Sequence, residues 1–197
     1  MSSDGVNSTR RKFLTAATSA VGAAGVVGVA VPFVGSWNPS AKAKAAGAPV
    51  KFDFSKLEPG QMSVVEWRGK PVYVVNRTES QLEALPGLNS QLKDPDSLNA
   101  AQQPPYITGI DRSIKPQLLV IVGLCTHLGC APKYVPEVGV LAGASWEGGF
   151  FCPCHGSKFD LSGRVYEGAP ASANLLVPPY SFEDDKVLVV GVNPEEV

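Results

Sequence analysis

Histidine and cysteine are nearly missing from this chain. It has two of the first and four of the second among 197 residues, and all six fall between positions 125 and 155. Core filler would not cluster in that way, so one place needs nitrogen and sulfur ligands and the rest avoids them. Charge is also scarce, at 18% of residues, and it is unevenly placed. Residues 1–50 hold Arg10, Arg11, Lys12, Lys42 and Lys44 against Asp4 alone, so the remainder is mildly acidic although the formal total is only −1. No basic patch marks a nucleic-acid partner. An acidic body favours attraction to a basic partner, but solubility explains it equally well. Internal repeats are absent as well.

Long apolar runs are absent except for one. Ser8-Thr9-Arg10-Arg11-Lys12-Phe13-Leu14 reads as a twin-arginine export signal: a polar residue, paired arginines, then Phe-Leu opening the run. No charge interrupts Phe13 to Trp37, a stretch longer than the roughly 20 residues that cross a bilayer core. Its alanine, glycine and valine make it only moderately hydrophobic. The expected layout is a cytoplasmic segment at 1–12, a transmembrane anchor at 13–37, a flexible tether at 38–50 and an exported domain at 51–197. The positive charges before the run place the N-terminus in the cytoplasm. Ala41-Lys42-Ala43 and Ala43-Lys44-Ala45 also resemble cleavage sites, so the residues alone leave anchor and removed signal evenly balanced. Twin-arginine export carries folded proteins, which suits a cofactor inserted before export.

Beyond Val50 the strand patterns are short and frequent: 51–54, 63–67, 71–76, 117–122, 149–151, 175–177, 180–183 and 186–190. Arg68-Gly69-Lys70-Pro71 and Asp184-Asp185 read as turns. Thr78–Leu85 reads as a helix, with Thr78 at the N-cap and Gln81 at the capping-box position. A long connection rich in Pro, Asn, Asp and Gln follows, up to Lys115-Pro116, and long ordered loops are often functional. The fold class is mainly β, an antiparallel sandwich with a loop-rich subdomain at about 123–173.

The two chemical boxes are Cys125-Thr126-His127-Leu128-Gly129-Cys130 and Cys152-Pro153-Cys154-His155-Gly156-Ser157. Structural zinc sites pair like with like, as C-x₂₋₄-C and H-x₃₋₅-H. Here each box offers cysteine and histidine together, which matches a Rieske [2Fe–2S] centre, where two histidines replace two cysteines on one iron. A purely structural set of disulfides would leave both histidines unexplained.

CTHLGC and CPCHGS resemble the Rieske subunits of quinol-oxidising cytochrome bc complexes. The paired arginines, apolar run, tether and Trp67-Arg68-Gly69-Lys70-Pro71-Val72 turn are similar to that family too, so the resemblance covers essentially the whole chain. It implies that the anchor is retained. It implies that Cys125 and Cys152 hold the inner iron, that His127 and His155 hold the outer one, and that Cys130 and Cys154 form a disulfide joining the two loops. Ser157 resembles the family serine whose hydroxyl donates to a bridging sulfide of the cluster. Leu128, beside Gly129, resembles the exposed tip residue that docks on cytochrome b. The implied function is electron transfer in a bacterial ubiquinol–cytochrome c oxidoreductase of the inner membrane. His155 would take a proton from ubiquinol, and the head, on the periplasmic side, would swing to a c-type cytochrome subunit. Family members sit in dimeric complexes that translocate protons. The isolated chain would be an electron carrier.

Two positions depart from the pattern. Phe159 stands where many relatives have a tyrosine that donates to a cysteine sulfur, which implies a lower potential. In Gly168-Ala169-Pro170-Ala171-Ser172 only Pro170 survives of the two prolines that stiffen a third loop in relatives. One alternative is the small Rieske subunit of an exported molybdenum oxidase such as arsenite oxidase. The WRGKPV turn and the 86–116 segment argue against it. Another is a non-redox exported protein with structural zinc.

Overall fold

The computed structural model describes residues 7–141 and 146–194. The first six residues of the expected cytoplasmic segment, 142–145 of the expected cluster region and 195–197 of the head lie outside that range. The chain forms two compact units, one ending at Ala45 and the other beginning at Ala46.

The first unit is built on helix α1 (Ser8–Gly35). Asn7 caps it, its side-chain oxygen accepting the Arg10 N–H at 3.1 Å, so the arginine pair lies in the first turn. Its 28 residues span about 42 Å at 1.5 Å per residue, more than the roughly 30 Å of a bilayer core. The hydroxyls of Thr15 and Thr18 donate back to the carbonyls of Arg11 and Leu14, which spares them a need for water. By length and composition α1 can cross a membrane. A short helix α2 (Ala41–Ala46) follows, where alanine and lysine favour helix and Gly47 ends it.

Among the described residues, the second unit holds three antiparallel sheets of three strands. One is ordered β1 (Val50–Asp53), β9 (Val187–Val190), β8 (Tyr180–Phe182); the next β2 (Met62–Trp67), β3 (Lys70–Asn76), β4 (Leu118–Val122); the third β5 (Lys133–Val135), β6 (Gly149–Phe151), β7 (Lys158–Phe159). Arg68 and Gly69 join β2 to β3 with φ of 52° and 68°. Two left-handed residues match the twist of a tight hairpin, and glycine takes one without strain. Asp184 closes the last hairpin by accepting the N–H groups of Lys186 and Val187. Helix α3 (Glu79–Ala84) carries both halves of the expected capping box between Thr78 and Gln81.

All five residues of β4 are buried, as its unbroken apolar run requires. A large apolar cluster joins the three sheets through Val72, Val74, Leu119, Ile121, Phe150, Phe159, Tyr180 and Leu188, and Cys125 and Cys152 belong to it. The segment 175–177 is buried but is not a ladder strand. Leu175 donates to Gly163, Val177 donates to Gln102, and the Leu176 carbonyl accepts from Val122. Arg112 donates to the Leu175 carbonyl as well, so scattered partners satisfy its backbone without a ladder. Strands β5 and β7 leave no mark in the sequence pattern, because three and two residues are too few to show alternation.

The 86–116 connection becomes a packed lobe around two 3-10 helices, Leu85–Gln91 and Ala100–Gln102. Arg77, Arg112 and Arg164, none more than 1% exposed, tie it to the turn at 160–163. Arg77 reaches the Leu161 carbonyl and Ser162 hydroxyl, both at 3.0 Å. Arg112 reaches the Ser162 carbonyl at 3.0 Å, and Arg164 pairs with buried Asp160 at 2.7 Å.

Candidate metal centre

β4 leads through Val122, Gly123 and Leu124 into the first chemical box, and β6 leads directly into the second. The two boxes fold alike. In the first, the Cys125 N–H donates to the Cys130 carbonyl and the Gly129 N–H to the Cys125 carbonyl; in the second, Cys152 donates to Ser157 and Gly156 to Cys152. The fifth residue of each is a left-handed glycine, φ 81° at Gly129 and 78° at Gly156. Cys125 therefore corresponds to Cys152 and Cys130 to Ser157. The histidines fall at the third place of one loop and the fourth of the other, so the C-x-H and C-x-x-H spacings place them on facing loops without a clash.

The donor set converges. The thiols of Cys125 and Cys152 touch at the base of the loops, both buried. The rings of His127 and His155 meet edge to face with centroids 4.7 Å apart. His127 is half-buried and His155 exposed. The Nδ1 atom of His127 is buried with no hydrogen-bond partner among the described residues, and a buried polar atom left so is costly unless something else binds it. Two buried thiols, two adjacent imidazoles and one orphaned nitrogen fit an iron–sulfur group with mixed ligation. Burial holds the Cys125 thiol above its ordinary value, while the His127 N–H and the Ser157 hydroxyl, both bonded to its sulfur, pull the other way. Metal binding would displace that thiol proton. Cys130 and Cys154 form a disulfide that joins the loops, and their sulfurs lie within 4.8 Å of the Cys152 sulfur.

Leu128 projects at the tip, 72% exposed. Phe159 is fully buried in β7 behind the second loop. Several supporting residues did not stand out in the sequence. The Tyr73 hydroxyl donates to the Pro132 carbonyl just past the first loop, and its ring lies so close to Gly123 that a Cβ there would collide with it. Thr126 donates to the Ala173 carbonyl, and buried Ser157 accepts the Ala171 N–H at 3.0 Å. Asn174, also buried, accepts from Val165 and donates to the Asp94 carbonyl and Ser97 hydroxyl. These bonds bring loop 168–174 against both boxes. Polar residues on a loop otherwise read as solvated, so only the resemblance of 168–172 to the family's third loop hinted at this role.

The Rieske [2Fe-2S] domain model matches residues 88–181. The model for the TAT signal of the ubiquitinol-cytochrome C reductase Fe-S subunit matches residues 1–40. The ubiquinol-cytochrome c reductase iron-sulfur subunit of Allochromatium vinosum is 53% identical over 97% of this chain and 92% of its own length. This chain belongs to that family of Rieske iron–sulfur subunits. The Blastochloris viridis subunit of the same name is 44% identical over 96% of this chain and 97% of its own length. A solved hyperthermophilic respiratory Complex III chain aligns over 89% of this chain and 99% of its own, at 26% identity and a TM-score of 0.49. Membership in the Rieske family carries a [2Fe–2S] cluster with it, and the structural-zinc and molybdenum-oxidase alternatives fall away. The TAT match and the apolar α1 fit a membrane-anchored subunit.

Proposed function

We propose that this Rieske subunit takes an electron and a proton from ubiquinol at a cytochrome b subunit and passes the electron to a c-type cytochrome subunit, so contributing to proton translocation in a dimeric complex. The observation that carries the reading is the meeting of two buried cysteines and two adjacent histidines at one exposed tip. Cys125 and Cys152 would hold one iron, and His127 and His155 the other. A [2Fe–2S] cluster bound there supplies one-electron chemistry, at a potential raised because neutral imidazoles replace two thiolates.

The protein's own part is to bind quinol and manage its proton. His155, exposed, presents its ring nitrogen not bound to iron to the quinol hydroxyl, accepts the hydrogen bond and then holds the proton. His127, less exposed, fixes the neighbouring ring by edge-to-face contact. Leu128 and Gly129 offer an apolar, side-chain-poor tip that seats on cytochrome b and excludes water from the transfer. The disulfide holds the two loops together around the site. In the proposed layout, residues 1–12 are cytoplasmic, 13–37 anchor the chain in a bacterial inner membrane, and 38–50 tether a periplasmic head at 51–197.

Two measurements test this. An EPR-monitored redox titration of membranes should give a reduced-state signal with average g below the free-electron value, at clearly positive potential. A signal at negative potential would move the chain toward ferredoxin-like function. His155→Ala in the intact complex should abolish quinol oxidation, and retained turnover would sink the proton-acceptor role.

A further inference from the structure

Lys93 lies in the 86–116 lobe, far in sequence from both boxes. Its root is held firmly: its N–H donates to the Val165 carbonyl at 3.0 Å, and the preceding Leu92 bridges to Tyr166. Its ammonium donates to the Ala169 carbonyl at 2.7 Å and the Ala171 carbonyl at 2.8 Å. Those two carbonyls flank Pro170, which has no N–H and a locked φ. Charge-assisted bonds of this kind are stronger than neutral ones, so the peptide between Pro170 and Ala171 is gripped from both sides.

That peptide supplies the Ala171 N–H, which donates to the Ser157 oxygen at 3.0 Å. Ser157 is fully buried. A hydroxyl has one hydrogen; with its oxygen accepting from Ala171, that hydrogen is directed elsewhere, and it meets the Cys125 sulfur. We propose that Lys93 is a positioning residue for the electron-transfer centre, acting through loop 168–174 to fix the direction in which the Ser157 hydroxyl donates to sulfur. The inference rests on the cluster assignment above. A hydrogen bond to a cluster sulfur favours the more negative, reduced state and so raises the potential. With Lys93 removed, the Ala169–Ala171 segment loosens, Ser157 loses its steady donor, and the hydroxyl divides its time among other directions.

The test is an EPR-monitored redox titration of the full-length subunit in its membrane, for wild type, Lys93→Met, Lys93→Arg, Ser157→Ala and the Lys93→Met/Ser157→Ala double variant. Lys93→Met should shift the midpoint downward, and Lys93→Arg should restore most of it. In the Ser157→Ala background, Lys93→Met should produce no further shift, because residues acting through one another are not additive. Should Lys93→Met fail to hold the cluster, Lys93→Gln replaces it in the same cycle under the same criteria. An unchanged midpoint in the single variant would overturn the proposal. So would a full additional shift in the Ser157→Ala background, which would mean that the ammonium acts by its own field and not through Ser157. A wild-type subunit without the Rieske signal would instead remove the cluster reading, and this proposal with it.

Discussion

Asp160→Asn tests whether the buried charge knot behind the centre holds the head together. Asp160 is fully buried; its Oδ1 accepts the N–H groups of Ser162 and Arg164 at 2.9 and 2.8 Å, and its Oδ2 accepts from the Arg164 side chain at 2.7 Å. Three buried guanidiniums surround the turn it organises. Burial pushes Arg77 and Arg112 down to about 10, with attraction to Asp111 and Asp160 respectively the leading opposing effect. Both stay charged at neutral pH in the folded and unfolded states, so their desolvation penalty is fully present there and is relieved only above about pH 10. Asparagine keeps the two backbone bonds at Oδ1 but removes the negative charge. Leaving a buried charge unpaired costs about 3–5 kcal/mol. At about 2–4 °C per kcal/mol for a domain of this size, the thermal midpoint should fall by about 6–20 °C. The assay is thermal denaturation of the cluster-loaded subunit, followed by circular dichroism and by loss of cluster absorbance. Adding Arg164→Met should recover part of the loss, since the unpaired cation goes with it. A drop below about 2 °C, or no recovery in the double variant, would refute the reasoning.

Phe159→Tyr should raise the midpoint potential in the same EPR titration. Its ring is fully buried beside the second loop, and a hydroxyl there must find an acceptor, the cysteine sulfur being the one that would change the potential. An unchanged or lower value would remove the donor argument. Cys130→Ala should lower the thermal midpoint of the exported protein, because a bond spanning a sequence separation of 24 stabilises by about 3 kcal/mol in the chain-entropy account. Peptide mapping that found Cys130 and Cys154 as free thiols in the mature wild-type protein would count against that bond in the cell.

What the sequence determined by itself was chemistry carried by neighbours. The Thr78–Gln81 capping box, the Arg68-Gly69 hairpin, the apolar run that became α1 and the six clustered cysteines and histidines are all short-range features. Each depends on backbone preferences or ligand types within a few residues, and such patterns survive in a one-dimensional reading. The segment 175–177 shows where that reading stops: its burial was legible, but its hydrogen bonds go to Gly163, Gln102, Val122 and Arg112, and no local pattern names them. Arg77, Arg112 and Arg164 were illegible for a similar reason. A charged residue defaults to solvent, and only the folded chain brings together the carbonyls and the carboxylates of Asp160 and Asp111 that make its burial tolerable. The matching hydrogen bonds of the two loops also needed coordinates, although a cysteine and a glycine at the first and fifth places of each box hinted at them. Lys93 is the clearest case. Its partners lie 76 and 78 residues away, and an exposed lysine on a polar connection shows no partner until tertiary packing closes the distance.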